Sequence, residues 1–534
     1  MQISEANEQS IRFSTFLTEQ RKQDLFPKEL IQLLIYLHKK YNPRRNRLLE
    51  ARKVRQKKYD QGQNPEYLAR DSEAVASDWK ILPLPEELKT RRVEITGPVN
   101  NTKMVINMLN RTEQGVRADM AMLDFEDSMK PSFKNVLQGY ENLISAARGY
   151  LKFEAPDKIY ELNPTDLAYI MVRCRGLHLD EANVVIEGEP ISAAILDLAT
   201  CFFHTAPIFV SRKLTPKYYI PKCEHHLEAR WWNDIFVELE AAMKMELGTL
   251  KATFLIETLP AAYQAEEILF EIRDHAAGLN VGRWDKIFSD IKVLRHHPKR
   301  VLGDRSSITM EKPWMKNYAL RIIKICHERG ALAMGGMAAF TPGKDKPHRK
   351  LQAEKISSDK KREFEWGHDG CWVSHPFFID IAMNEFKAPN QLDKLLNDFD
   401  KFPDLLPRAE GPYSIEGLRT NIRVGIIYLQ SWIQDIGCVS VDYLMEDLAT
   451  LEISRAQVWQ WLRHQQQLDD GTFVTPDLVK RIFKEEHHKI VLDWEKNEVS
   501  PDQLILLDTA ANEALKIFLE KDLRDFLSTS SRRE

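Results

Sequence analysis

Two carboxylates, Glu257 and Asp285, stand at or just after the ends of two separate apolar runs of the sequence. If both runs are strands of one parallel sheet, their carboxyl ends meet at one edge, and the two side chains could share one hard cation. Mg²⁺ takes one or two carboxylates and fills its other positions with water and substrate oxygens, which suits a small oxo acid that chelates through its carbonyl and carboxylate. The metal would then act as a Lewis acid on that carbonyl. A single carboxylate more often caps a helix or pairs with an arginine, so the convergence of several favours the metal site.

Two arginines, Arg173 and Arg175, occupy alternate positions at the end of another short run and therefore point to the same side. A guanidinium in such a place is costly unless it meets an anion, such as a developing enolate or a substrate carboxylate. The alternative is a structural ion pair with Asp124, Glu126 or Asp127, which end a neighbouring run. Both interpretations could hold, one for each arginine.

The segment Gly278–Gly282 has glycines at both ends, and it runs directly into Asp285. Backbone amides from Gly282 to Asp285 could approach a small anion closely. Taken alone this signal is weak, because a glycine usually marks only a turn.

The elements that must position these residues are eight short apolar or β-branched runs that alternate with longer helical stretches. This alternation predicts a (β/α)₈ barrel of the α/β class, in which catalytic groups stand at the carboxyl ends of the strands. A doubly wound sheet is the structural alternative, but it would usually need fewer strands and often a Gly-rich first turn. The eight runs are Val93–Thr96, Met120–Phe125, Tyr169–Arg173, Tyr218–Pro221, Ala252–Ile256, Gly278–Val281, Ala331–Met334 and Cys371–Ser374.

Helical patterns flank this central region on both sides. Residues 1–92 carry an apolar stripe at helical spacing after Pro27, and residues 395–534 carry several helices, the first with Ser414 as its N-cap. We therefore expect three domains, with the barrel at residues 93–394 and helical domains before and after it.

Composition narrows the class of protein. The 534 residues are 43% apolar and 29% charged with a net charge of −4, which argues against nucleic acid as the main partner. No run of eighteen or more uncharged apolar residues occurs, so we expect no ordinary membrane span. The six cysteines are scattered without a CxxC pair and predict reduced thiols. Residues Met1–Glu5 lack an apolar signal core and Ser531–Glu534 is no peroxisomal address, so we expect a cytoplasmic protein.

The segment Arg273–Phe288, RDHAAGLNVGRWDKIF, resembles the long and specific signature of malate synthases. The resemblance covers nearly the whole chain, and the length fits the shorter A isoform. It implies a (β/α)₈ barrel with an N-terminal helical clasp and a C-terminal helical plug. One departure is Lys286, where the family usually has Tyr, and we expect it to alter local packing more than the metal site. Further matching segments are Arg92–Pro98, Asp124–Ser128, Arg175–Leu179, Leu255–Pro260, Gly335–Phe340, Gly367–Gly370 and Leu444–Thr450.

The resemblance also implies an activity and roles for its main residues. The reaction is the Mg²⁺-dependent condensation of acetyl-CoA with glyoxylate to give malate and CoA, a step of the glyoxylate bypass. Asp447 matches the base that removes a methyl proton from acetyl-CoA, and Arg173 matches the arginine that stabilises the enolate and contacts glyoxylate. Glu257 and Asp285 match the Mg²⁺ ligands. Burial under the C-terminal domain would raise the basicity of Asp447.

Further residues would bind the two substrates. The segment Gly282, Arg283, Trp284 and Asp285 matches the one that holds the glyoxylate carboxylate, and Glu126 and Asp127 would lie near the waters of the metal. The long basic segment Thr341–Gly370 follows the seventh run, where a barrel places an active-site loop. Its lysines could reach the phosphates of CoA, although a solvated loop explains the same charges. The residues assigned to CoA are Lys222, Lys344 and Pro376.

Two other functions stay open at this point. The first is a malyl-CoA or citramalyl-CoA lyase, which shares the barrel and its Glu/Asp metal site but is a shorter chain without the domain that carries Asp447. The second is a catalytically inactive barrel that serves as a scaffold. Lys286 favours it, and the presence of Arg173, Glu257, Asp285 and Asp447 argues against it.

Overall fold

The computed structural model describes residues 10–530, and its N-terminal part is organised around one helix of 33 residues. That helix begins directly after Pro27, as predicted, and it packs along two helices of the barrel. The prediction that residues 1–92 are helical is wrong after residue 60, because the following segment is mostly extended and rich in proline, which lacks the amide that a helix needs. The elements here are β1 (Ile11–Phe13), α1 (Glu19–Leu25), α2 (Lys28–Asp60) and α3 (Glu73–Ala76).

Eight parallel strands close into a barrel, and each of the eight predicted runs forms one of them. The register is parallel all round, and the last strand pairs with the first through Cys371 and Val93. The predicted fold class is therefore confirmed. In order around the barrel the strands are β2 (Val93–Pro98), β3 (Met120–Asp124), β6 (Tyr169–Arg173), β9 (Lys217–Ile220), β10 (Lys251–Leu255), β11 (Ala276–Asn280), β12 (Leu332–Ala338) and β13 (Gly370–Val373).

The interior of the barrel is packed, so its lower part holds no channel. Met120, Met171, Leu255 and Trp372 meet there in one buried cluster. All six cysteines are free thiols and five of them are buried, as the sequence predicts. The chemistry is therefore confined to the upper rim, where the strands end.

Helices cover the outside of the barrel. In the described residues α6 alone is long and apolar enough to cross a membrane, but 72% of its apolar window is buried inside the structure. A core helix has the same length and composition, so this is weak evidence for a span. The helices are α4 (Thr102–Leu109), α5 (Phe133–Arg148), α6 (Ala193–Ser211), α7 (His226–Ala242), α8 (Leu259–Tyr263), α9 (Ala265–Glu271), α10 (Trp284–Val293), α11 (Pro313–Glu328), α12 (Lys346–Trp366) and α13 (Ile379–Glu385). Two hairpins interrupt them, β4 (Lys152–Glu154) with β5 (Ile159–Glu161) and β7 (Asp180–Ile186) with β8 (Glu189–Ser192).

The segment Thr341–Gly370 is mainly the helix α12 and not the expected loop. Asp345 caps its start by accepting the amide of His348, and Gly367, with φ of 118°, ends it. This helix could not be predicted from the sequence, because the side of α12 that packs on the barrel is mostly polar. A helix is recognised in a sequence by an apolar stripe at helical spacing. The buried positions of that side are Gln352, Ile356, Lys360 and Glu363.

The C-terminal region is a helical unit with a hydrophobic core of its own. Ser414 caps its first helix, as predicted, by accepting the amide of Gly417. The helix that follows Asp447 begins only at Leu448, because the preceding residues form a hairpin whose turn has positive φ at Asp442 and Tyr443. The elements are α14 (Ile415–Ile433), β14 (Val439–Val441), β15 (Leu444–Glu446), α15 (Leu448–Arg463), α16 (Pro476–Lys496) and α17 (Pro501–Phe518). The domain boundaries at residues 92 and 394 stay a prediction.

The hairpin β14–β15 joins this unit to the barrel. The amide of Met445 donates to the carbonyl of Ala339 at 2.7 Å, and the amide of Thr341 donates to the carbonyl of Tyr443 at 2.9 Å. The hairpin is therefore pinned to the end of β12, and α15 packs on α10. Asp447, the residue between β15 and α15, is thereby held over the barrel mouth.

Candidate active site

One cavity at the barrel mouth brings together the residues that the sequence assigned to catalysis and metal binding. Arg173, Glu257, Asp285 and Asp447 all line it, although they come from three different strand ends and from the C-terminal hairpin. Asp127 lines the same cavity. The structure thus supplies the convergence that the sequence could only suggest.

Arg173 leaves the end of β6 and forms a bidentate ion pair with Asp124, at 2.7 and 2.6 Å from Nε and Nη2. Burial opposes ionisation of Asp124, but the charge and hydrogen bonds of Arg173 outweigh it and lower the pKa of that carboxyl. The remaining nitrogen, Nη1, lies 3.4 Å from Glu126 and 3.8 Å from Asp127. The edge of the guanidinium formed by Nε and Nη2 is therefore anchored to Asp124, and Nη1 faces the carboxylates of Glu126 and Asp127.

Arg175 has a different function from Arg173. It pairs with Asp197 and Glu181 at 2.8 and 2.7 Å, away from the carboxylates that the sequence offered as partners. The expectation that both arginines point to the same side is wrong, because β6 ends at Arg173 and its alternation does not reach Arg175. Arg175 does not line the cavity, and its ion pairs support the local structure.

Lys222 stands at the end of β9 with its ammonium surrounded by carboxylates. Nζ lies 2.6 Å from Asp127, 2.9 Å from Glu126 and 3.3 Å from Asp285. Its backbone has φ of 53°, and its amide donates to Glu257 at 2.8 Å. Only 4% of Lys222 is exposed, which argues against the predicted contact with the CoA phosphates. Lys222 instead belongs to a buried acidic cluster formed by Glu126, Asp127, Glu257 and Asp285.

The acidic cluster has more negative than positive charge. Burial raises the pKa of Glu126, Glu257 and Asp285, and the attraction of Lys222 offsets this only in part. Both carboxyl oxygens of Glu126 and Oδ1 of Asp285 are buried without a hydrogen bond, since the nearby ammonium is not aligned with them. Such acceptors fit a bound cation and its waters.

The donor set fits Mg²⁺ better than a softer metal. No group of three or more His, Cys, Asp or Glu among residues 10–530 is arranged to hold a metal by itself. Mg²⁺ is bound in proteins by one or two carboxylates together with water and substrate oxygens. Glu257 and Asp285 would be the two protein ligands, and Glu126 and Asp127 lie where they could accept hydrogen bonds from such waters.

The segment from Gly282 to Asp285 opens α10 beside Glu257. A Cβ on Gly282 would stand 2.7 Å from Cβ of Glu257, so only glycine allows this close approach. The first amides of a helix have no acceptor within the helix and attract anions. The hydroxyl of Tyr318, which donates to the carbonyl of Ile256, fixes the strand end that carries Glu257.

Asp447 is the N-cap of α15, and it accepts the amide of Thr450 at 3.2 Å in a capping box. Burial, aided by the nearby charge of Asp127, raises the pKa of Asp447 to about 7, although Arg173 draws it down. The amide of Leu448 donates to the carbonyl of Asp127 at 3.3 Å and ties the two parts together. A carboxylate of this basicity can take up a proton near neutral pH.

The remaining predicted residues lie farther from the cluster. Lys286 is fully buried behind the cavity and pairs with Asp290 at 2.5 Å. Lys344 stands in the exposed turn before α12, and Pro376 begins a short turn close to Ser374, which lines the cavity. The roles of Lys344 and Pro376 in binding CoA stay predictions.

Known proteins resemble this chain along almost its whole length. Family models described as the N-terminal domain, TIM barrel domain and C-terminal domain of malate synthase match residues 15–73, 169–401 and 413–533. Malate synthase A of Escherichia coli (strain K12) is 41% identical over 96% of this chain and 95% of its own length. Malate synthase of Myxococcus xanthus (strain DK1622) is 46% identical over 86% of this chain and 85% of its own. Among solved structures, the citrate lyase beta subunit of M. tuberculosis, complexed with oxaloacetate and magnesium, is 16% identical to this chain with a TM-score of 0.36. The match covers 57% of this chain and 100% of that subunit. This similarity is too low for the ligands of that subunit to be assigned to this chain.

Proposed function

Because the chain belongs to the malate synthase family, we propose that its barrel mouth joins the methyl carbon of acetyl-CoA to the aldehyde carbon of glyoxylate. Hydrolysis of the resulting thioester then gives malate and CoA. The activity comes with the family, and the assignment of steps to individual side chains is our proposal. The observation that carries it is the convergence of Arg173, Glu257, Asp285 and Asp447 on one cavity.

Asp447 acts as the base in this proposal. The methyl group of acetyl-CoA is a very weak acid, so its proton needs an acceptor more basic than an ordinary carboxylate. Burial gives Asp447 a pKa of about 7, and its capping contact with Thr450 holds the carboxylate in place. The proton would pass from the methyl carbon to the carboxylate of Asp447 as the enolate forms.

Arg173 stabilises the enolate oxygen. Asp124 engages Nε and Nη2, and Nη1 lies 3.8 Å from Asp127, which lines the cavity together with Arg173. A fixed cation at the place where negative charge develops costs no reorganisation during the reaction, which is why such groups contribute strongly to catalysis. The ion pair with Asp124 thus positions the arginine as well as balancing its charge.

Glu257 and Asp285 would hold Mg²⁺, and the metal when bound polarises the carbonyl of glyoxylate. The amides of Gly282 to Asp285, at and just before the start of α10, would receive the glyoxylate carboxylate, since helix N-termini attract anions. Lys222 keeps Asp127 and Glu126 in place beside this site. These groups together would fix the orientation of glyoxylate in the cavity.

The proposed substrates follow from membership of the malate synthase family. Acetyl-CoA and glyoxylate are the substrates that the family implies, and the side of the cavity lined by Ser374, Cys438 and Met445 is our proposed entrance for the thioester arm. We also propose a cytoplasmic location.

Thiol release from acetyl-CoA, with glyoxylate and Mg²⁺ each present or omitted, tests this function. We expect release only when both are present, with free CoA and malate as products. Accumulation of malyl-CoA without free CoA would favour a lyase. No release from folded protein that also binds neither Mg²⁺ nor glyoxylate in a calorimeter would favour a scaffold.

A further inference from the structure

Arg52 of the N-terminal helix α2 reaches the backbone beside the acidic cluster, although it lies 170 residues earlier in the chain. Only 8% of Arg52 is exposed. Its Nη2 donates to the carbonyl of Lys222 at 2.7 Å. Nε and Nη2 also donate to the two carboxylate oxygens of Glu228, on α7, at 2.8 and 2.6 Å. Arg52 therefore holds the segment after β9 and the helix that follows it at the same time.

The backbone that Arg52 holds is in an unfavourable conformation. Lys222 has φ of 53°, in the left-handed region, which a residue with a Cβ keeps only where its surroundings hold it there. Its amide donates to Glu257 at 2.8 Å, and its carbonyl accepts from Arg52. The backbone of Lys222 is thus fixed on one side by a proposed metal ligand and on the other by the N-terminal helix.

The side chain of Lys222 depends on the same conformation. Its ammonium lies 2.6 Å from Asp127 and 3.3 Å from Asp285, the other proposed metal ligand. The torsion φ sets the direction of the amide relative to the side chain, so a change in φ cannot keep both groups in place. One residue in one conformation therefore serves Glu257 with its amide and Asp285 with its ammonium.

The ion pair of Arg52 with Glu228 continues to the helix that carries Asp285. The carboxylate of Glu228, which has no exposed surface, accepts the amide of Glu224 at 2.8 Å. Glu224 in turn accepts from Lys292, near the end of α10, at 2.7 Å. A displacement of Arg52 would therefore be felt from the end of β9 to α10, which are the two elements that flank the proposed metal site.

Arg44 of the same helix provides a comparison. It pairs with Asp234 of α7 and so joins the same two helices as Arg52. The side chains of Arg44 and Asp234 are 30% and 37% exposed, and Arg44 lies about 12 Å along the helix axis from Arg52. An ion pair between α2 and α7 is thus present at both places, but the bond to Lys222 belongs to Arg52.

We propose that Arg52 is a positioning residue of the reaction centre, which holds Lys222 in the conformation that serves Glu257 and Asp285. The N-terminal helix then helps to shape the site for Mg²⁺ in addition to packing on the barrel. The consequence for catalysis rests on the proposed function, whereas the effect on the backbone of Lys222 does not. The competing account is that Arg52 only joins α2 to α7 through its charge.

Two variants of the full chain separate these accounts. Arg52→Lys keeps the charge but has a single nitrogen for contacts that arginine makes with two. The double variant Arg52→Gln with Glu228→Gln leaves no unpaired charge between them, and its glutamine is too short to replace the bond to Lys222. We expect both to bind Mg²⁺ at least about tenfold more weakly in a calorimeter. In EDTA, the peptide around Lys222 should exchange its amide hydrogens faster, as measured by mass spectrometry.

Arg44→Lys is the matched control and should equal the wild type in both measurements. Wild-type Mg²⁺ affinity and wild-type exchange in the double variant would overturn the proposal, because charge balance between α2 and α7 would then be all that Arg52 provides. An equal loss in Arg44→Lys would also overturn it, because any loosening of α2 would suffice. Urea unfolding of the same samples verifies that each variant is folded. The two proposals fail separately, because neither measurement needs turnover and the exchange needs no metal.

Discussion

Replacing Asp447 with Asn should stabilise the fold above neutral pH while it removes the proposed base. Only 9% of Asp447 is exposed, and burial together with the charge of Asp127 raises its pKa to about 7. A neutral side chain of the same shape avoids the cost of burying that charge. Asn also keeps the cap, since its carbonyl oxygen can accept the amide of Thr450 as the carboxylate does.

The magnitude follows from the difference between the folded pKa of about 7 and the ordinary value of 3.8. Below that lower value the carboxyl is protonated in both states and contributes nothing to the pH dependence. Between the two values the unfolded chain alone is ionised, so the free energy of unfolding falls by about 1.4 kcal/mol per pH unit. Above the folded pKa the loss is constant at about 4 kcal/mol. The Asn variant lacks this loss, and its advantage should therefore grow by about 3 kcal/mol from pH 5 to pH 8.

Urea unfolding of both proteins in EDTA at the two pH values measures this difference. Asp442→Asn, in the exposed turn of the same hairpin, is the matched control, and its difference from the wild type should not grow with pH. A variant whose advantage is the same at both pH values would refute the reasoning. It would mean that the folded protein holds the Asp447 carboxylate ionised at little cost.

Three other substitutions test separate parts of the site. Gly282→Ala should weaken Mg²⁺ binding in a calorimeter by at least about tenfold, since its Cβ would push against Glu257; unchanged affinity would show that the two need not be so close. Lys286→Met should cost about 3–5 kcal/mol of unfolding free energy at pH 8, because it leaves the Asp290 charge buried and unpaired, and adding Asp290→Asn should recover most of it. Arg173→Lys should lower kcat about a hundredfold to a thousandfold with the fold intact, because lysine lacks the second donor edge; a kcat near that of the wild type would remove Arg173 from the enolate step.

The barrel could be predicted from the sequence because its strands are buried on both faces. Parallel strands of this kind read as short continuous apolar runs, and all eight runs are strands of the barrel. Helix starts carried local signals as well, such as Pro27 and Ser414. Arg173 and Glu257 were then found by a positional rule, since each stands at the carboxyl end of its strand.

What the sequence did not show depends on contacts between distant segments. The polar inner side of α12 removed the apolar stripe by which a helix is recognised. Lys222 also follows a predicted strand, but only the closed barrel shows that it lies between Glu126 and Asp127 and not at the phosphates of CoA. The hairpin that carries Asp447 gains its place by pairing with the end of β12, about 100 residues earlier in the chain.

The central claim is that Asp447, supplied by the C-terminal unit, is the base of a reaction centred on the barrel mouth. The most direct test is the rate of thiol release by Asp447→Asn beside the wild type, with the affinities for Mg²⁺ and glyoxylate measured on the same samples. The account predicts that kcat falls at least about a hundredfold, as for the loss of a general base, while both affinities stay within about twofold. A variant that binds both ligands and keeps the wild-type kcat would contradict it.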